Sequence, residues 1–376
     1  MNAALVAGEA SGDLLAGLLL AGMRRRWPQL RSGGIGGPQM ASHGFEPWWP
    51  YEKLAVRGYA EVIRHYREIV GIRDRLRERL LHERPDVFIG VDAPDFNLDL
   101  EADLRGAGMK TVHFVCPSIW AWRMKRVEKL KRSCDHVLCI FPFEPELLAR
   151  HGIAATYVGH PLANVIPMEP DQAAARQALG LPPTGEVIAV LPGSRASEVE
   201  QLSLRFLQAA AILQRSRPHA WFVLPAMPAL QQRIEAAARD VPALRNLKIV
   251  TGQSHAVLAA CDVALVASGT ATLETALFKR PMVIAYHMNR LSYWLMKPQQ
   301  LQPWVGLPNI LSGEFVVPEL LQANAKPELL AGALLEWLDS PARMQAVRDR
   351  FRSLHLQLQR DTATLAADAI EQVLAR

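Results

Sequence analysis

Carboxylates and an arginine stand where apolar runs of this chain end, a placement suited to proton removal on one side and diphosphate release on the other. Glu9 follows the run 3–7 in Gly8-Glu9-Ala10-Ser11-Gly12-Asp13. Asp92 follows the run 86–91 in Asp92-Ala93-Pro94-Asp95-Phe96-Asn97. Either carboxylate could act as general base on an attacking hydroxyl, Asp92 being the better candidate and Glu9 close behind. Asp95, just after a proline, reads equally as a turn-forming residue.

Arg195 lies in Leu191-Pro192-Gly193-Ser194-Arg195-Ala196-Ser197-Glu198-Val199-Glu200, where a buried run turns into a helix. Ser197 and Glu200 are spaced as a capping box. Free N–H groups and a partial positive charge at such a helix start suit a phosphate, so Gly193, Ser194, Arg195 and Glu198 are candidate phosphate residues. Arg195 either adds a charge-assisted fork to a diphosphate or pairs with a neighbouring acid.

A second loop, Ser268-Gly269-Thr270-Ala271-Thr272-Leu273-Glu274, repeats the geometry. The small residues Ser268, Gly269 and Thr270 let backbone approach a ligand closely. Glu274 could accept both hydroxyls of a ribose, or simply complement the helix dipole. A phosphate cradle and a ribose acid together point to a nucleotide. Neither loop fits Gly-x-Gly-x-x-Gly or the P-loop, which argues against dinucleotides and ATP hydrolysis. The chain has no Asp-x-Asp pair for a diphosphate-bound metal, so neither metal nor cofactor is expected.

These loops need strands to hold them. Apolar runs at 3–7, 86–91, 111–115 and 136–140 alternate with helical stretches, which predicts βαβ units and a parallel sheet. A polar, proline-bearing junction, Ile166-Pro167-Met168-Glu169-Pro170-Asp171, follows. The theme then restarts with runs at 187–191, 220–224, 247–250, 263–267 and 281–285. The reading is α/β, with two doubly wound parallel-sheet domains facing a cleft that receives the ligand. The domains are drawn at 1–165 and 166–349, with one C-terminal helix over 350–376 packing on the first domain or on a partner, as in a homodimer.

The bulk composition agrees with this. At 376 residues the chain exceeds one ordinary core, and half of it is apolar with 21% charged, a globular balance. The net charge of +5 suits a phosphate-bearing substrate or an anionic membrane surface, but is also ordinary. Cys116, Cys134, Cys139 and Cys261 form no Cys-x-x-Cys pair, so buried thiols in a reducing compartment are expected. An acid interrupts the first apolar run at Glu9, unlike a signal peptide, and no run spans a bilayer. A cytoplasmic or membrane-surface location follows.

Two stretches could meet a membrane or an anionic acceptor. Trp120, Trp122 and Arg123 precede a basic segment, although core tryptophans with a solvated basic face explain this equally. Over 59–81, Val62, Ile63, Tyr66, Ile69 and Val70 recur at helical spacing among arginines. That pattern either lies on an anionic leaflet or faces the protein's own core.

Read together, these stretches resemble the lipid-A-disaccharide synthase family. The resemblance rests on Val6-Ala7-Gly8-Glu9-Ala10-Ser11-Gly12-Asp13, Asp92-Ala93-Pro94-Asp95-Phe96-Asn97, Pro117-Ser118-Ile119-Trp120-Ala121-Trp122-Arg123, Gly159-His160-Pro161-Leu162, the Arg195 and Glu274 loops, and Leu307-Pro308-Asn309. It implies a GT-B fold and an inverting, metal-independent transferase working at the inner face of the Gram-negative cytoplasmic membrane. The implied substrates are UDP-2,3-diacylglucosamine and 2,3-diacylglucosamine 1-phosphate, giving a β-1,6-linked disaccharide and UDP. By the same resemblance Asp92 is the base with Glu9 beside it, and Arg195, Glu274 and Asn309 serve the UDP site. Ser11, Gly12, Asp95, Asn97, Trp122 and Arg123 would line the acceptor side. The family often carries aspartate where this chain has Asn164. Other readings are a peptidoglycan glucosaminyltransferase, a UDP-N-acetylglucosamine 2-epimerase, or a silent nucleotide-sugar sensor.

Overall fold

A computed structural model describes residues 1–54, 59–121, 126–288 and 301–376. The chain divides into two compact units, one of residues 1–161 with 358–376, the other of residues 162–357.

The first unit is built on seven strands: β1 (Asn2–Ala7), β2 (Arg31–Gly36), β3 (Glu46–Pro50), β4 (Val87–Val91), β5 (Lys110–Phe114), β6 (His136–Cys139) and β7 (Ala155–Tyr157). Their order is β3-β2-β1-β4-β5-β6-β7, with every pair parallel. Helices cover both faces, so β4 is buried at all five positions and must be apolar throughout. The order reverses between β1 and β4, where neighbouring strands send their chains to opposite sides and leave a crevice at their carboxyl ends.

The second unit repeats the plan with β8 (Val187–Leu191), β9 (Trp221–Ala226), β10 (Leu247–Thr251), β11 (Val263–Ala267), β12 (Met282–Tyr286) and β13 (Glu319–Leu321). The order is β10-β9-β8-β11-β12-β13, again all parallel, with its reversal between β8 and β11.

Four strands escape the sequence reading, and each has a reason. In β2, Gly33 and Gly34 look like a turn, but a Cβ on Gly34 would lie 2.1 Å from the Leu5 carbonyl oxygen and one on Gly33 2.6 Å from the Trp48 ring. Only glycine lets these chains approach so closely. β3 carries Pro47 and Pro50, tolerated because it is an edge strand. β7 and β13 are three-residue edge strands, too short to show a pattern.

The C-terminal region also differs from one helix over 350–376. It consists of Pro341–Leu358 and Thr362–Leu374, parted at Asp361, whose carboxylate caps the second helix through the Thr364 N–H. Only the second belongs to the first unit. It packs so tightly on the helix Ala10–Arg26 that a Cβ on Gly22 would meet the Ala363 carbonyl oxygen at 2.1 Å. Arg26 pairs with Glu371 beside this contact.

No helix among the described residues is long and apolar enough to cross a membrane. The four cysteines are buried and unpaired.

Candidate active site

Both candidate loops of the first unit lie at the crevice between β1 and β4. Glu9 follows β1 directly, stands at the N-cap position of Ala10–Arg26 without a capping side-chain bond and is half-buried. Asp92 follows β4, where its N–H donates to the Phe114 carbonyl at 2.8 Å and fastens the turn to β5. Asp92 and Ala93 both adopt left-handed backbone, with φ of 51° and 43°. Such conformations cost on the order of 1–3 kcal/mol each and persist where the surroundings enforce them. Here Asn97, buried on the following helix Pro94–Gly106, donates its amide to the Asp92 carbonyl at 2.8 Å.

The electrostatics favour a base. Burial raises the Asp92 carboxyl above the usual aspartate range; the positive character of His113 opposes this, the nearby Glu9 adds to the rise, and a hydrogen bond from the Ala93 N–H opposes it. A carboxylate destabilised by burial accepts a proton more readily.

The neighbouring residues take other roles. Asn97 spends its amide on the Asp92 backbone, not on an acceptor. Asp95, with an 84% exposed side chain, pairs with Arg126 at 2.6 Å. Asp13 is buried and accepts from the N–H groups of Gly37, Gln39 and Met40 at 2.9–3.0 Å, capping the short helix Pro38–Ala41. Ser11 is exposed at the start of its helix and Gly12 is buried against Ala7. Trp120 is a core residue, its indole N–H donating to Glu144 at 3.0 Å and its ring edge-on to Phe141 and Phe143. Trp122 and Arg123 lie outside the described residues, as do the side chains of Val62, Ile63 and Tyr66. Ile69 packs against the first unit's core, and Val70 is half-buried.

In the second unit the loops after β8 and β11 meet at the other reversal point. They enclose a cavity of about 310 Å³ lined by Gly193, Ser194, Arg195, Glu198, Ser268, Gly269, Thr270 and Glu274. Pro225, Met227 and Ser254 complete its wall from the ends of β9 and β10. Sequence reasoning missed these three, although their position just beyond apolar runs was the available signal.

The helix Ala196–Ser216 starts two residues earlier than the Ser197–Glu200 box would require. The reciprocal acid is Glu198, whose carboxylate accepts from the N–H groups of Ser194 at 3.0 Å and Arg195 at 3.2 Å. Glu198 also pairs with the Arg195 guanidinium at 3.1 Å. An anion so placed holds the loop in shape and repels a phosphate, so Glu198 is a clamp and not a phosphate ligand. Arg195, with 68% of its side chain exposed, keeps donors that can turn to a bound anion. Gly193 has φ of 119°, and a Cβ there would lie 2.5 Å from Glu198 Oε2.

Gly269 has φ of 153° and ψ of −162°, a region essentially reserved for glycine, and caps the helix Thr270–Leu277. The Ser268 hydroxyl donates to the Val305 carbonyl at 3.3 Å. Glu274 faces the cavity one turn on, with His255 Nε2 3.6 Å from its carboxylate.

Asn309 is not at this cavity's wall. It is fully buried, its Oδ1 accepts from the N–H groups of Val316 and Val317, and its Nδ2 donates to Val317 O and Glu319. Glu319 in turn accepts from Val305 and Gly306. With its amide committed, Asn309 braces the segment behind Ser268 and leaves nothing for a nucleotide. Among the described residues no group of three His, Cys, Asp or Glu side chains is arranged to hold a metal ion.

Comparison with known proteins agrees with this arrangement. The family model for lipid-A-disaccharide synthetase matches residues 3–373. The lipid-A-disaccharide synthase of Albidiferax ferrireducens is 64% identical over 379 residues, covering 100% of this chain and 97% of that protein. That of Verminephrobacter eiseniae is 60% identical, covering 100% and 98%. Among solved structures, MurG from Acinetobacter baumannii superposes with a TM-score of 0.61 at 13% identity, over 99% of each chain. The calicheamicin glycosyltransferase CalG4 gives 0.61 at 16%, over 100% of this chain and 98% of that one. A UDP-N-acetylglucosamine 2-epimerase from Listeria monocytogenes, itself assigned only provisionally, gives 0.64 at 13%, over 98% and 94%. Those three share the fold, which is GT-B; the relatives matched end to end at high identity carry the family. With two parallel-sheet units, a strained aspartate at one reversal point and a small-residue cradle at the other, the chain belongs to the lipid-A-disaccharide synthase family, glycosyltransferases that build the lipid A disaccharide.

Proposed function

We propose that the chain moves a 2,3-diacylglucosamine unit from UDP to the 6-hydroxyl of 2,3-diacylglucosamine 1-phosphate, with inversion. The observation that carries this reading is the placement of complementary chemistry at the two reversal points. One holds a carboxyl raised by burial, the other a cavity with a helix N-terminus and a largely exposed arginine. The fold suits such a donor: the Neisseria meningitidis epimerase of this fold was solved with UDP-N-acetylglucosamine, and the Anabaena protein HepE with UDP and glucose.

In the proposed step Asp92 takes the proton of the acceptor hydroxyl while its oxygen bonds to the anomeric carbon. The bond from that carbon to the β-phosphate oxygen breaks, and UDP departs with the electron pair. The start of Ala196–Ser216 and the Arg195 guanidinium stabilise the charge that develops there. Glu274 receives the ribose hydroxyls. Asp92→Ala should abolish disaccharide formation, read by mass analysis of the lipid product, while calorimetry finds UDP affinity unchanged. Loss of UDP binding together with activity would reassign Asp92.

The acylated substrates reside in a membrane, and we propose that the helix Tyr59–Glu83 docks the chain on the anionic cytoplasmic leaflet. Its sequence alternates apolar residues with arginines, and basic residues near such a surface contribute about 1 kcal/mol each. Replacing Val62 and Ile63 by glutamate should release the protein from vesicles containing phosphatidylglycerol. Unaltered co-sedimentation would sink the docking surface.

A further inference from the structure

Behind Asp92 lies a pair of ionisable groups with no role so far. His113 on β5 and Glu101 on the helix Pro94–Gly106 are both fully buried, with Nδ1 and Oε1 2.7 Å apart. Their other polar atoms, His113 Nε2 and Glu101 Oε2, find no hydrogen-bond partner. The backbone makes room for the pair. Gly90 on β4 is in register with His113, and a Cβ there would lie 2.1 Å from Glu101 Oε1.

As mere packing this arrangement is costly. A buried ionisable pair with half its polar atoms unsatisfied is rarely more stable than apolar residues of the same volume. Its position explains it better. Registered residues of parallel strands share a face. The space over Gly90 is bounded by Asn97 as well as Glu101, a Cβ there lying 2.8 Å from Asn97 Cβ, while the Asp92 N–H is bonded to Phe114, the residue after His113. Asn97, one turn before Glu101 on the same helix, holds the Asp92 carbonyl.

We propose that His113 and Glu101 are positioning residues for Asp92, His113 keeping its carboxylate charged and Glu101 orienting and supporting the imidazole. The proposal rests on Asp92 being the base. Burial and Glu9 make the Asp92 carboxylate more basic but also favour its protonated form, which cannot take a proton, and among the described residues His113 and the Ala93 N–H counter them. Few other charges face the pair. Asp95, Asp99, Asp103 and Arg105 of the same helix turn to Arg126, to Arg73 and Lys129, to Arg77 and to Asp135. Cys134, whose buried thiol is pushed well up by burial and by Glu101, also neighbours the pair, with Cys116 beside it.

The test is the pH dependence of kcat/KM for disaccharide formation in the full-length protein. With His113→Gln the acid limb should move about one unit upward, so that activity on that limb falls about tenfold and returns at alkaline pH. Glu101→Gln should move it the same way by less. An equal loss at every pH with an unmoved limb would make the pair structural. In the unaltered protein, the imidazole nitrogen resonances of His113 should shift over the pH range of the acid limb, a measurement that needs no variant; resonances static there overturn the coupling. Asp92→Ala separates the two readings. Full turnover in that variant removes the base assignment and this inference with it. An inactive variant beside an unmoved limb removes only the positioning role.

Discussion

Substituting Gly193 by alanine tests the cradle through its backbone. The residue sits at φ of 119°, where an L side chain is strained by on the order of 1–3 kcal/mol. The added Cβ would also lie 2.6 Å from Glu198 Cβ and 2.5 Å from its Oε2, so the carboxylate must leave. It would then release the N–H groups of Ser194 and Arg195 and the Arg195 side chain. Charge-assisted bonds contribute roughly 1.5–3 kcal/mol each when shielded, but this loop is exposed, so well under that applies here. A total of about 2–4 kcal/mol is reasonable, lowering Tm of a unit of roughly 200 residues by about 4–16 °C. Because the cradle loses its shape, UDP affinity by titration calorimetry should fall about tenfold or more, 1.4 kcal/mol per decade. Affinity within about twofold of the unaltered protein, alongside the expected loss of Tm, would refute the claim that the Glu198 clamp shapes a nucleotide site.

Three further outcomes follow from buried contacts. Asn309→Ala strips partners from two N–H groups and from Glu319, and should cost about 2–4 kcal/mol in urea unfolding while UDP affinity stays nearly constant; a stable variant that has lost UDP binding would return Asn309 to the nucleotide site. Burial raises the Glu144 carboxyl from 4.5 to about 8, so the folded state prefers its neutral form. Its stabilising contribution is therefore complete below 4.5 and is lost as pH rises through about 8. Glu144→Gln should flatten the decline of stability across that window, and an unchanged slope in denaturation at several pH values would refute the assignment. Gly22→Ala forces a methyl into the Ala363 carbonyl and should destabilise the first unit by about 1–3 kcal/mol or more, read as a lower urea midpoint; an unchanged midpoint would show that the two helices separate freely.

Much of the architecture was legible along the chain because the central strands are buried on both faces. β1, β4, β8 and β11 can only be apolar runs, and the polar or small residues ending them mark the crevices. Hence Glu9, Asp92, Gly193, Arg195, Gly269 and Glu274 stood out by position and type alone. β2 did not, because its glycines answer to Leu5 and Trp48, neighbours that only the sheet brings near.

What tertiary structure decided is which partner each polar group takes. Asp95 belongs to Arg126, Asp13 to the helix after Gly37, and Asn309 to the strand holding Glu319, pairings set by segments that meet only on folding. Glu198 became a clamp because the helix begins at Ala196, a boundary two residues from where the side-chain pattern placed it. The Glu101–His113 pair exists only in the register of β4 against β5, where Gly90 leaves the space. Type and spacing along the chain determine which groups can do chemistry, because burial periodicity and loop composition are local. Which of them remain free to do it is a matter of hydrogen-bond competition, and that competition is settled by neighbours distant in sequence.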